Sequence, residues 1–235
     1  FQSLDESEQE KRMMIAQLSH DIKTPITSIQ VTVEGILDGV IKEEERFHYL
    51  TTIGRQTERL NKLVEELDVL TLNTQPQDTA DEEVEEVFLD QLLIESMSEF
   101  QLQIEQEERD VYIQVSPESA KIKSHSDKLS RILVNLLNNA FKYSEPGTRI
   151  EVLAQLTEQE LTISVKDEGQ GILPEDLEKI FKRLYRVETS RNMTTGGHGL
   201  GLAIARELAH QLGGEITAES QYGLGSKFTF SLNLK

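Results

Sequence analysis

The residue best placed to do chemistry is His20, in Leu18-Ser19-His20-Asp21-Ile22-Lys23-Thr24-Pro25. The other histidines are His48, His125, His198 and His210, and none stands in a metal-ligand spacing such as H-E-x-x-H. His20 falls between the apolar seam residues Leu18 and Ile22, off their register, so it is predicted to face solvent. An idle surface histidine is the ordinary reading of such a residue, but three neighbours argue for a nucleophile. Asp21 can fix the ring's tautomer or take its proton, leaving the other nitrogen with its lone pair. Thr24 lies one turn on, on the same face. Pro25 cannot donate to the carbonyl of Asp21 and crowds it, so a kink is expected beside the histidine. A neutral imidazole keeps a free lone pair with which to attack phosphorus.

Three features of the second half converge on a phosphate-bearing ligand. Asp167-Glu168-Gly169-Gln170-Gly171-Ile172 follows a strand-like run. A carboxylate at a strand end can accept a hydrogen bond from an exocyclic amine, and glycines let a ligand lie on bare backbone. Taken alone, such a sequence is usually a turn. Gly196-Gly197-His198-Gly199-Leu200-Gly201-Leu202 runs into a strongly amphipathic helix. Backbone N–H groups at a helix start form an anion site aided by the helix dipole. The spacing is neither the dinucleotide G-x-G-x-x-G nor a P-loop. The third feature is the helical run 130–143, where Asn135, Asn139 and Lys142 share one narrow face and Leu129, Leu133, Leu136, Leu137 and Ala140 the opposite one. Asparagine is a poor helix former. Two on one stripe suggest amide oxygens for Mg²⁺, with Lys142 balancing phosphate.

These groups must be positioned by two kinds of structure. Apolar residues at Ile15, Leu18, Ile22, Ile26, Ile29, Val33, Ile36 and Val40 step by three and four, the mark of a bundle helix. Asp38-Gly39 predicts a reversal, and a second stripe follows at Phe47, Leu50, Ile53, Thr57, Leu60, Val64 and Leu67. Two such helices bury little alone, so pairing of two hairpins into a dimeric four-helix bundle is expected. Pro76 and the acidic run from Asp78 to Glu86 place a linker after residue 75. Beyond it, strands are predicted at 111–115, 149–156, 161–165 and 227–232, and helices at 89–107, 127–142 and 200–212. That interleaving predicts a two-layer α/β sandwich on a mixed sheet. The domains are thus 1–75 and 76–235.

Composition narrows the partners. Forty-two acidic residues against 24 basic ones give a net charge of −18, which repels a nucleic-acid backbone. The chain has no cysteine, which excludes disulfides and thiolate metal sites. No stretch reaches the ~18 apolar residues of a membrane span. The opening, Phe1-Gln2-Ser3-Leu4-Asp5, lacks signal-peptide character, and an anchoring or sensing part upstream is expected.

The run around Asn135, Asp167-Glu168-Gly169-Gln170-Gly171 and Gly197-His198-Gly199-Leu200-Gly201, in this order, resembles the N box and two glycine boxes of the histidine-kinase ATP-binding domain, a fold shared with gyrase-type ATPases. Phe181-Lys182-Arg183-Leu184-Tyr185-Arg186 resembles the F box. Gly223-Leu224-Gly225-Ser226 resembles the late glycine motif, and the stretch around His20 the H box. The resemblance implies ATP and Mg²⁺ as ligands. Asp167 would bind the adenine amine, with Gly169 and Gly171 shaping that pocket. Asn139 and Asn135 would hold Mg²⁺, Lys142 would contact phosphate, and Tyr143 would lie over the base. Gly197, Gly199, Leu200 and Gly201 would cradle the triphosphate, and Arg186 would neutralise the transferring group. Residues 187–196 would form a mobile lid. In the first domain it implies His20 as phosphoacceptor and Asp21 as general base. Thr24 would orient a water that dephosphorylates the partner.

His198, where the family has a small residue, reads as a tolerated loop substitution, and Leu184 replaces a frequent aromatic. The implied protein is a homodimeric kinase acting on a response regulator. This part would be cytoplasmic, in a protein anchored to the membrane. An ATP-driven conformational machine and a non-catalytic interaction module are the competing readings. The H box disfavours the first and the intact nucleotide motifs the second.

Overall fold

The computed structural model describes residues 2–71, 84–183, 185, 187 and 199–234. The linker expected around residues 73–83, Leu184, Arg186, Gly197, His198 and nearly all of the expected lid lie outside them. The chain divides into two units, Phe1–Thr74 and Gln75–Lys235.

The first unit is a helical hairpin. Helix α1 (Gln2–Leu37) runs through Pro25, and Gly39 takes the left-handed φ of 71° that the reversal needs. A short 3₁₀ turn, Glu43–Glu45, leads into α2 (Arg46–Thr71). Each helix carries two apolar rows rather than the one broad seam read from the sequence. The inner row of α1 is Ile22, Pro25, Ile29, Thr32 and Ile36, and that of α2 is Ile53, Gln56, Leu60 and Leu63; all are buried or half-buried. The outer rows, Ile26 and Val33 of α1 with Leu50, Thr57 and Val64 of α2, keep the same heptad spacing and are exposed.

The second unit opens with strand β1 (Glu85–Phe88), which pairs antiparallel with β3 (Lys121–Ser124). The main sheet is built from β2 (Asp110–Ser116), β4 (Arg149–Leu156), β5 (Glu160–Asp167), β6 (Glu215–Gln221) and β7 (Gly225–Asn233). Its order is β2-β4-β5-β7-β6. The β2–β4 pair is parallel and the other pairs antiparallel, which makes the sheet mixed. Helices α3 (Leu89–Ser98), α5 (Ser126–Tyr143) and α6 (Gly201–Gln211) supply the second layer, so the expected two-layer α/β sandwich is the observed one. Its core joins Leu129, Leu133, Leu136, Leu137 and Ala140 of α5 to Ile204, Ala205 and Leu208 of α6. Ile150, Val152, Leu161, Ile163, Val165, Phe228 and Phe230 line the sheet side.

Two expectations need correction. The single helix over 89–107 is broken: α3 ends at Ser98 and the short α4 (Gln101–Gln106) restarts. At the break, buried Phe100 stacks on Phe141 with ring centroids 4.7 Å apart. Strands β1, β3 and β6 are additional to those predicted.

Candidate active site

In the hairpin, α1 presents His20 with 76% of its side chain exposed, while Asp21 is largely covered. Imidazole Nδ1 lies 3.3 Å from Asp21 Oδ1. A carboxylate there favours the proton on Nδ1 and leaves Nε2 with its lone pair toward solvent. The Thr24 hydroxyl donates to the His20 carbonyl at 3.0 Å. It is therefore held back on its own helix beside the ring. Pro25 is buried, so the residue that removes an N–H from this turn also packs the helix against its neighbour.

In the α/β unit, the register of α5 turns Leu129, Leu133, Leu136 and Leu137 into the core and leaves Asn135, Asn139, Lys142 and Tyr143 half-buried on the other side. Asn135 donates through Nδ2 to the Arg131 carbonyl at 2.8 Å. Its Oδ1 faces Gly201, where an added Cβ would come within 2.9 Å. The start of α6 is thus pressed against the asparagine face of α5, and Gly199 beside it has a φ of 71°. Leu200 is a core residue through its side chain, so only its backbone can serve a phosphate cradle.

Asp167 ends β5, is 3% exposed, and is the focus of the other side of the site. Its Oδ1 accepts N–H bonds from Gly169 at 2.8 Å and Ser226 at 3.3 Å. Among the described residues, no hydrogen bond reaches Oδ2. Burial pushes the carboxyl pKa up to about 6, against the lowering effect of those two N–H donors. A buried carboxylate whose second oxygen takes no hydrogen bond from the described residues is what an exocyclic amine would complete. The residues therefore fit an adenine-type base at this point.

The loop glycines lie tightly against neighbouring backbone. A Cβ on Gly169 would sit 2.2 Å from the Tyr143 carbonyl, and one on Gly171 2.1 Å from that of Gln221. The bare backbone there admits neighbouring chain. It brings the loop against the end of α5, where Gln170 donates to the Tyr143 carbonyl at 3.1 Å. Gly225 has the same role, because its Cβ would meet the Asp167 carbonyl at 2.0 Å. Ser220 Oγ accepts from the Ile172 N–H at 2.8 Å and ties the loop to β6. The sequence motif at 223–226 signalled a glycine turn but not that Ser226 holds Asp167.

Among the F-box residues, Phe181 lies edge-on to Phe228 with the Arg206 guanidinium over its ring at 5.2 Å. Tyr185 donates to buried Asp176 at 2.6 Å. No group of three His, Cys, Asp or Glu side chains among the described residues is arranged to hold a metal. Neutral amide oxygens from Asn135 and Asn139 fit a hard cation that takes its remaining ligands from phosphate and water. No helix among the described residues is long and apolar enough to cross a membrane.

Comparisons with known proteins agree with this geometry. Residues 124–235 match the family described as histidine kinase-, DNA gyrase B- and HSP90-like ATPase, and residues 10–75 the His kinase A (phospho-acceptor) domain. Histidine protein kinase SaeS of Staphylococcus epidermidis is 38% identical over 229 residues, or 96% of this chain. This chain spans 64% of the length of that relative. The structure of Acinetobacter baumannii histidine kinase AdeS superposes with a TM-score of 0.72 at 26% identity, covering 92% of this chain and 98% of that one. Histidine kinase ThkA, solved in complex with response regulator protein TrrA, shares the fold with a TM-score of 0.70 at 22% identity, covering 99% of this chain and 66% of that one. With a phospho-acceptor match over the hairpin, an ATPase match over the α/β unit and relatives aligned across both, the chain belongs to the sensor histidine kinases of two-component systems.

Proposed function

We propose that this chain uses ATP to phosphorylate its own His20 and passes the phosphoryl group to an aspartate of a response-regulator receiver domain. The observation that carries the reading is the His20–Asp21 contact at 3.3 Å on an exposed helix face. With Nδ1–H held by Asp21, Nε2 attacks the γ-phosphorus of ATP in line. The N–P bond forms, the bond from that phosphorus to the β,γ-bridging oxygen breaks, and ADP leaves. The Nδ1 proton then passes to Asp21 or stays shared with it, keeping the phosphorylated ring near neutral.

In the α/β unit, Asp167 Oδ2 accepts the adenine amine, and Tyr143 covers the base. Lys142 and the backbone N–H groups of Gly197, Gly199, Leu200 and Gly201 hold the phosphates. Magnesium, on Asn139 with Asn135 beside it, would offset the charge of the phosphate oxygens. Arg186 neutralises charge on the group in transfer.

The exposed outer rows of the hairpin support a homodimer, in which Ile26, Val33, Leu50 and Val64 meet their counterparts. The regulator partner is supported by family and by the ThkA–TrrA complex. Rotation of the Thr24 hydroxyl off the His20 carbonyl would free it to orient water for regulator dephosphorylation, the proposed second activity. ATP is a cytoplasmic substrate, which supports a cytoplasmic site of action. The share of the relatives' length beyond this chain leaves room for a membrane anchor and sensor.

The test is incubation with γ-labelled ATP and Mg²⁺. Label that is acid-labile, alkali-stable and absent from His20→Ala supports the proposal. Label that survives the substitution, or ATP hydrolysis without any labelling, overturns it.

A further inference from the structure

Arg109 stands in the turn between α4 and β2, and its side chain is 1% exposed. Its sequence neighbours, in Glu107-Glu108-Arg109-Asp110, are all charged. In the fold its guanidinium is enclosed by acceptors from the end of α5. Nη2 donates to the Ser144 carbonyl at 2.8 Å and the Phe141 carbonyl at 3.2 Å. Nη1 donates to Ser144 Oγ and Thr148 Oγ1, each at 2.8 Å, and to the Glu145 carbonyl. Nε donates to Glu107 Oε2 at 2.7 Å. The guanidinium also lies 5.7 Å from the centre of the Phe141 ring.

A helix end leaves carbonyls without partners, and a left-handed glycine usually ties them. Here the residue after α5 is Ser144 in an extended conformation, with φ −114° and ψ 150°. Arg109 supplies the missing donors and places a positive charge at the negative end of the helix dipole. Enclosing a cation is an expensive way to finish a helix, so its placement is informative.

The carbonyls it grips, Phe141 and Ser144, bracket Lys142 and Tyr143, the residues proposed to meet phosphate and base. The Tyr143 carbonyl in turn receives the Gln170 N–H and seats Gly169, the loop that follows Asp167. We infer that Arg109 is a positioning residue for the nucleotide site: it fixes the last turn of α5 so that Lys142, Tyr143 and the Asp167 loop keep one register. The inference rests on the proposed nucleotide site, and Arg109 itself touches no substrate.

The experiment uses the full chain, with ADP and magnesium as the calorimetric probe, well below the melting temperature of each variant. Arg109→Lys keeps the charge but lacks the planar fork needed to reach both carbonyls and Glu107. Its dissociation constant for ADP is expected to rise about tenfold, with KM for ATP following and the labelling rate at saturating ATP within about twofold of wild type. Melting alone is no test, since any loss of a buried arginine lowers it. A lower melting temperature with unchanged ADP affinity overturns the inference and leaves Arg109 a staple. If Arg109→Lys does not fold, Ser144→Ala removes one acceptor, and a rise of about threefold is expected by the same logic. Unchanged affinity there overturns the inference too. A wild-type chain that binds no nucleotide overturns the proposed site as well, whereas equal binding by wild type and variants sinks this inference alone.

Discussion

The two units of this protein close their cores in different ways. In the α/β unit, Leu136, Ile150, Val165 and Phe228 are completely enclosed by their own chain. In the hairpin, Ile26 is 42%, Val64 52% and Leu50 55% exposed, although each sits in a heptad row. One unit is finished by a single chain, and the other is, on the proposed dimer, a half-structure. A site that must hold a small ligand in fixed geometry has the self-contained unit. The histidine, proposed to meet a nucleotide and a partner protein in turn, stands on the unit for which a second copy is proposed. Stability and exposure are thus divided between the two halves.

The largest expected effect comes from breaking the half-structure. Leu50→Glu places a charge at the dimer seam twice by symmetry. Losing two leucine burials alone forfeits about 3–6 kcal/mol, enough to weaken dimerisation by a hundredfold or more. Analytical ultracentrifugation should show monomer, while melting of the α/β unit is unchanged. A dimer that persists would remove the distinction between the units.

Next comes Asp167→Asn, which keeps an oxygen for the Gly169 and Ser226 N–H groups but turns the other acceptor into a donor. ADP affinity is expected to fall about a hundredfold, as for a buried polar mismatch of roughly 2–4 kcal/mol. The same change should stabilise the unit at pH 7. The folded carboxyl has a pKa of about 6 against an ordinary 3.8, so between those values the folded state binds the extra proton. Stability therefore falls as pH rises through that window, by up to about 3 kcal/mol, and the asparagine removes the loss. Melting curves at pH 4 and pH 7 should show the variant's advantage only at the higher pH. An advantage of equal size at both would contradict the burial account.

A smaller effect follows from the same group. An amine donor favours the ionised carboxylate, so ADP affinity in wild type should rise with pH up to about 6 and level off above it. The slope below is at most about tenfold per unit, and a flat profile would argue against contact with Asp167. Smallest is Thr24→Ala, whose hydroxyl only returns to its own helix. Stability should move by no more than about 0.5 kcal/mol and autophosphorylation hardly at all. Dephosphorylation of the regulator should slow several-fold, and equal loss of both activities would remove the proposed division of labour.

Much of this was legible in the residues. The helical period of α5 separated Asn135, Asn139 and Lys142 from the leucine face, and β4 falls on its predicted run. What stayed hidden depended on partners distant in sequence. Strand β6 has Ile216 as its one fully buried residue and Ala218 as its other apolar one, so alternation is faint. Strands β1 and β3 have four residues each and become strands by pairing with one another. The two heptad rows of each hairpin helix merge into one stripe unless the neighbours are known. Arg109 carried no sequence signal because its acceptors at the end of α5 arrive 32 to 39 residues later. Asp167 was found, but not that Gly225 and Ser226 of the neighbouring strand β7 pack against it and hold it.

The central claim is that the imidazole of the hairpin and the nucleotide pocket of the α/β unit serve one phosphoryl transfer. The most direct measurement is heteronuclear NMR of the full chain, labelled at histidine and incubated with ATP and Mg²⁺. The account predicts phosphorus bonded to Nε2 of His20, and a signal that builds far more slowly in Asp167→Asn at an ATP concentration that just saturates wild type. Phosphorus on Nδ1, on another residue, or on His20 at an undiminished rate without the Asp167 carboxylate would contradict it.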